Sequence, residues 1–78
     1  MTRSAFKTVL EDILAVPRGT LRDNDTRETV TGWSSLADVQ ILTYISNEFG
    51  IEADLSLLEA DSIGELMRVL EERRALMA

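Results

Sequence analysis

Apolar residues recur at helical spacing in three separated stretches of this chain, and nowhere at the two-residue spacing of a half-buried strand. That pattern restricts the fold to helices packed on helices. With 78 residues, the chain is expected to form a single domain, 1–78, around one small core.

The first stretch, residues 4–16, reads SAFKTVLEDILAV. Phe6, Val9, Leu10, Ile13 and Leu14 form its apolar stripe, with Lys7, Glu11 and Asp12 off it. Ser4 is the expected N-cap, and Pro17 ends the helix because it brings no N–H to the ladder. Residues 17–34 hold no sustained period and are rich in Gly, Thr, Asp and Asn, so they read as a long loop. Loops of that length in small domains often carry function. Leu21, Val30 and Trp33 are its expected anchors in the core.

A second helix is expected from about Ser35 to Phe49. At about 100° per residue, Val39, Leu42, Ile45 and Phe49 fall on one side with Ile41 at its edge. Ala37, Gln40, Thr43, Tyr44 and Asn47 fall on the other, and Leu36 lies on that outer side too. Gly50 should close the helix in the left-handed conformation, with Ile51 folding back onto Ile45 or Ser46. Residues 54–60, DLSLLEA, read as a short third helix. Ser62 and Glu65 make a capping-box pattern for a fourth helix reaching about Ala75. In it Ile63, Leu66, Met67 and Leu70 face inward, and Glu72, Arg73 and Arg74 are solvated. The expected fold is all-α: a small four-helix bundle of three main helices and a short third one, with a long first loop.

Composition narrows the function. The chain has no cysteine and no histidine, so it lacks a thiolate, a disulfide framework and the commonest general base and metal ligand. No apolar run or N-terminal apolar segment reads as a membrane span or signal peptide, so a cytoplasmic protein is expected. The net charge of −6 is unevenly placed. Residues 28–67 carry eight acids and no Lys or Arg, while the flanks are each slightly basic. An acidic middle opposes nucleic-acid binding and favours partners with basic surfaces. With no long heptad or broad outward apolar face, a monomer is expected.

Independent catalysis is not expected. A nucleophilic serine needs a base in hydrogen-bond reach, and only Lys7 or a carboxylate such as Asp38 is on offer, the latter expected to be ionised and solvated. Asp23 and Asp25 have one residue between them, but the glycine and distal Glu of a calcium loop are missing. A solvated turn is the expectation there, and no metal site.

The stretch TGWSSLADVQIL, residues 31–42, places two serines at the start of the second helix. With Ser35 as N-cap, Asp38 would sit three residues on, as in a capping box. With Ser34 as N-cap, Ser35 becomes the first helical residue and its hydroxyl is free. Local sequence leaves both open. A free hydroxyl beside an outward Leu36 would suit a phosphate ester, since a helix start offers unpaired N–H groups and partial positive charge.

The run GWSSLADVQILTYISNEFGI, with the helix layout of the whole chain, resembles the acyl and peptidyl carrier protein family, whose motif is usually Asp-Ser-Leu. The resemblance implies that Ser35 carries a 4′-phosphopantetheine arm, transferred from coenzyme A by a Mg-dependent phosphopantetheinyl transferase. The arm's thiol would hold an acyl or aminoacyl group as a thioester for loading and condensing enzymes. It also implies recognition by such partners through Ser34, Leu36, Asp38, Gln40 and Glu48, and makes Ile63 a candidate to line a cargo cleft, although ordinary core is the favoured reading of that residue. The family's Asp is replaced by Ser34, which keeps a strong N-cap but loses the charge that the transferases read. The near-neutral outer face of the second helix and the "GW" before the serines point to a specialised acyl, aminoacyl or polyketide pathway. The alternative is an unmodified carrier-like interaction module in which Ser34 and Ser35 only cap a helix.

Overall fold

The computed structural model describes residues 1–53 and 57–76. Among these residues the chain forms three helices, α1 (Arg3–Leu14), α2 (Ser35–Phe49) and α3 (Ile63–Glu72). Among the described residues it forms no strand, and Thr26 and Ser62 make an isolated antiparallel bridge. The short helix expected over 54–60 falls in part on residues outside the described ones; Leu57 and Ala60 are buried in the core.

Helix α1 begins two residues earlier than its sequence suggests. Thr2, extended at φ −85° and ψ 163°, is the N-cap and accepts the Ala5 N–H at 3.1 Å. Ser4 is therefore inside the first turn, where its carbonyl accepts the Thr8 hydroxyl at 3.2 Å. The helix stops before Pro17 through a left-handed Ala15, φ 58°. Val16 N–H donates to the Glu11 carbonyl at 3.0 Å and Ala15 N–H to that of Asp12 at 3.3 Å, the paired bonds of a Schellman ending. Phe6, Leu10 and Leu14 are buried, and Ile13 packs against them. Glu11 does not follow the expected pattern. Only 3% exposed, it turns its carboxylate to the loop and accepts the Leu21 N–H at 3.0 Å. A buried acceptor of this kind satisfies a backbone donor that the loop could not pair by itself.

Helix α2 presents a different face from the expected one. Ala37, Ile41 and Ile45, spaced four apart, are buried, whereas Val39 is 59% exposed. Tyr44 also turns inward, its ring 6.2 Å from Phe6 and 6.5 Å from Phe49, with Phe6 and Phe49 at 5.9 Å. The cause is that α2 is apolar around most of its circumference, so its own sequence does not fix its rotation. The aromatic cluster with α1 does, and aromatic pairs at such distances add attraction beyond the area they bury. Gly50 ends α2 in the left-handed conformation, φ 63°, with its N–H on the Ser46 carbonyl at 3.1 Å. Ile51 packs against the core.

Helix α3 starts as its sequence suggests. Ser62 Oγ accepts the Glu65 N–H at 3.2 Å, and the Glu65 carboxylate reaches back to the Asp61 N–H at 3.1 Å. The loop supplies two more acceptors: the Asp25 carbonyl takes the Ile63 N–H and the Asp23 carbonyl takes that of Gly64. These bonds tie the first loop to the start of α3 and account for the Thr26–Ser62 bridge. The helix ends at Glu72, before the expected Ala75, because Arg74 turns left-handed at φ 60° and Ala75 N–H returns to the Leu70 carbonyl at 2.8 Å. Arg73, expected in solvent, is half-buried and donates to the Glu52 carbonyl at 3.5 Å. Leu21, Val30 and Trp33 are all buried and anchor the loop to the core.

Candidate functional site

The path of the chain into α2 is set by a close approach. Gly32 lies against α1, where a Cβ would overlap the carbonyl oxygen of Leu14. Only glycine fits there. Trp33 N–H then donates to the Val30 carbonyl and Ser34 N–H to the Gly32 carbonyl, each at 3.0 Å. The chain thus reaches Ser34 extended, at φ −101° and ψ 179°. This conformation makes Ser34 the N-cap. Its Oγ accepts the Ala37 N–H at 3.4 Å and its carbonyl accepts the Asp38 N–H at 3.0 Å.

Ser35 is therefore the first residue of α2, and of the two arrangements left open by the sequence this is the one adopted. Ser35 is exposed, and its hydroxyl makes no hydrogen bond among the described residues. Leu36 beside it is 67% exposed. Val39, Gln40 and Thr43 continue the outer side, which holds no charged residue over these turns. Glu48 is exposed too, but it lies roughly 20 Å further along the helix axis at 1.5 Å per residue. It does not belong to the same patch as Ser35. Burial, and the Glu48 carboxylate one turn on, push the Tyr44 hydroxyl above its ordinary value.

Asp38 departs from its expected solvated state. Its side chain is 17% exposed and turned toward the loop. Arg27 Nη1 donates to both of its oxygens, at 2.8 and 2.7 Å, and Trp33 Nε1 donates to one of them at 2.9 Å. The Arg27 guanidinium carbon stands 4.7 Å from the centre of the Trp33 ring, and Nη2 donates to the Leu58 carbonyl at 3.2 Å. Arg27 was not legible as a site residue. Its one sequence signal is that it is the last base before the acid-only run.

Asp23 and Asp25 do not converge on a common point. Asp23 pairs with Lys7 at 2.6 Å and with Arg3 at 3.6 Å. Asp25 accepts the Arg22 N–H at 2.8 Å and the Thr29 hydroxyl at 3.0 Å. Among the described residues no group of acids is arranged to hold a metal ion. The hydrogen bond from Lys7 holds the Asp23 carboxyl below its ordinary value, outweighing its partial burial, and the charges of Lys7 and Arg3 act in the same direction.

Ile63 has no exposed surface and belongs to the core with Ile45, Leu66, Met67 and Leu70. Ile63 is thus ordinary core, the reading favoured for it, and no cargo cleft opens at this residue. An open depression of about 360 Å³ lies instead at the other end of α2, lined by Leu42, Thr43, Ser46, Asn47, Glu52 and Ala53. Among the described residues no helix is long and apolar enough to cross a membrane. Comparisons with family models, with curated proteins and with solved structures found no match to this chain.

Proposed function

We propose that this chain is an acyl carrier protein of the cytoplasm, with Ser35 bearing a 4′-phosphopantetheine arm. The reading includes the acyl-carrier form of the four-helix bundle, with a short helix between α2 and α3. The observation that carries it is the division of labour between the serines: Ser34 caps α2, which leaves the Ser35 hydroxyl exposed and unpaired at the first helical position.

The residues present fit such a group. The Ser35 and Leu36 N–H groups have no acceptor among the described residues, and a helix start of this kind favours a phosphodiester anion. The Ser35 oxygen bonds to phosphorus in the pyrophosphate of coenzyme A, adenosine bisphosphate departs, and the hydroxyl proton passes to a base. Among the described residues no base is hydrogen-bonded to the Ser35 hydroxyl, so the transferase supplies that base. Once attached, the arm provides the thiol that a chain without cysteine lacks. Leu36 and Val39 offer an uncharged apolar contact beside the attachment point, and the acidic central block draws in enzymes with basic surfaces. The closed packing around Ile63 favours a cargo held outside the bundle, in the aminoacyl or short acyl range of a specialised pathway.

A second reading has one observation in its favour. Ser34 stands where the resembled family has an acid, and its hydroxyl works in the cap. On that reading the chain is an unmodified interaction module, and Leu36 and Val39 are simply its docking surface.

Intact mass after incubation with coenzyme A and a broad-specificity phosphopantetheinyl transferase separates the two. The carrier reading expects the gain of one arm in the native chain and none in Ser35→Ala. It also expects faster loading of Ser34→Asp, which restores the acid and keeps a cap. A native chain that gains nothing with several transferases would leave the unmodified module standing.

A further inference from the structure

We propose that Arg27 is the positioning residue for Ser35. This rests on the carrier reading and concerns how its attachment serine is held. Two segments separated in sequence, the turn Trp33–Asp38 and the stretch at Leu58, meet at one guanidinium. Trp33, two residues before Ser35, lies under it at 4.7 Å. Asp38, three residues after Ser35, takes Nη1 on both carboxylate oxygens. Leu58, between α2 and α3, takes Nη2 on its carbonyl. Trp33 Nε1 closes the ring by donating to Asp38 at 2.9 Å.

The two serines are thus bracketed by residues fastened to each other and to Arg27. Neither serine contributes a side-chain contact to this clamp. Ser34 Oγ binds only within its own turn, and the Ser35 hydroxyl has no partner among the described residues. Without the clamp, the turn Trp33–Asp38 keeps its cap, Trp33 and Ala37 in the core, and the backbone bonds of Trp33 to Val30 and of Ser34 to Gly32 on its entry side, but no tie from Asp38 to the rest of the fold. The first turn of a helix is where fraying begins, so this is the part of α2 that needs an outside tie. Ser35 would then be correctly presented in only a fraction of molecules, and a partner's apparent affinity falls by that fraction.

The test is steady-state loading by the transferase, with KM for the carrier separated from kcat, on the folded full chain. Arg27→Gln is expected to raise KM roughly tenfold and leave kcat unchanged, because the enzyme selects the same presented state. Arg27→Lys keeps the charge without the planar fork and should recover part of the loss. Trp33→Phe keeps the stacked ring but drops the indole donor, and should fall between the native chain and Arg27→Gln. Ile13→Ala on α1, compared at matched fraction folded, controls for general loss of stability and should keep the native KM. Amide exchange should quicken over residues 34–38 in Arg27→Gln while α1 keeps its protection. A native KM in Arg27→Gln, or an equal rise in Ile13→Ala, would overturn the proposal. Failure of the native chain itself to be loaded would remove the carrier reading, and this inference with it.

Discussion

At the scale of single residues, several positions act through what their backbone must do. Ala15 and Arg74 both close helices in the left-handed region, at φ 58° and φ 60°. A side chain there crowds the next carbonyl, at a cost of about 1–2 kcal/mol that glycine avoids, less its larger loss of chain entropy. Ala15 is exposed, so its methyl contributes little packing in exchange. Ala15→Gly should therefore stabilise the fold by about 0.5–1 kcal/mol, seen as a higher melting temperature. Gly32 behaves in the opposite way, because a Cβ would meet the Leu14 carbonyl. Gly32→Ala should lower the melting temperature and displace the chain that delivers Ser34 to its cap. An unchanged melting curve in Gly32→Ala would mean that the approach to α1 is not tight.

Much at this scale was legible because its causes are local. Gly50 as a helix ending and Ser62 with Glu65 as a helix start need only neighbours within a few residues. The choice between Ser34 and Ser35 was not legible. It depends on the angle at which the chain enters α2, which Gly32 sets by packing against a carbonyl in α1. Glu11 was misjudged for a similar reason. Its partner is the Leu21 N–H in the loop, and no helical wheel contains that group.

At the scale of elements, the loop after α1 behaves as a connector of helices more than as a tether. Its carbonyls at Asp23 and Asp25 complete the start of α3, and its side chains at Asp23 and Arg27 grip α1 and α2. The pairing of Asp23 with Lys7 predicts a pH dependence. The folded-state carboxyl sits below its unfolded value, so this contribution is present above the unfolded pKa of about 3.9. It is lost as the pH falls through the lower folded value. Asp23→Asn should accordingly flatten the acid limb of stability against pH, with little change in its slope near neutrality. An acid limb identical to the native one would remove Asp23 as a contributor.

The rotation of α2 shows why element-level reading has limits. Leu36, Val39, Ile41, Leu42, Tyr44, Ile45 and Phe49 surround most of that helix. A partner must then select the buried face, and Phe6 does so through Tyr44 and Phe49. Helices α1 and α3 carry apolar residues on one side and, Glu11 apart, charges on the other, so their inward apolar residues were legible from spacing alone.

For the whole molecule, charge and apolar surface are kept apart. The acidic block spans residues 28–67, yet the outer side of α2 nearest Ser35 carries no charge and exposes Leu36 and Val39. Asp38, the acid of the first turn, is neutralised by Arg27. Long-range attraction should then govern how fast a basic partner arrives, and short-range apolar contact how long it stays. Raising ionic strength should slow loading by reducing the association rate, while leaving the turnover at saturation nearly constant. Leu36→Ala should instead weaken retention at every salt concentration. A loading rate independent of salt would contradict the steering role of the acidic block.

The central claim is that two adjacent serines do different work, one holding the helix and the other remaining free. Thermal unfolding and intact mass after transferase treatment, measured together on Ser34→Ala and Ser35→Ala, test it most directly. Ser34→Ala should lose about 1 kcal/mol of stability, as N-cap removal does, and still gain the arm. Ser35→Ala should melt like the native chain and gain nothing. Loss of stability in Ser35→Ala with none in Ser34→Ala, or an arm still acquired by Ser35→Ala, would contradict the assignment.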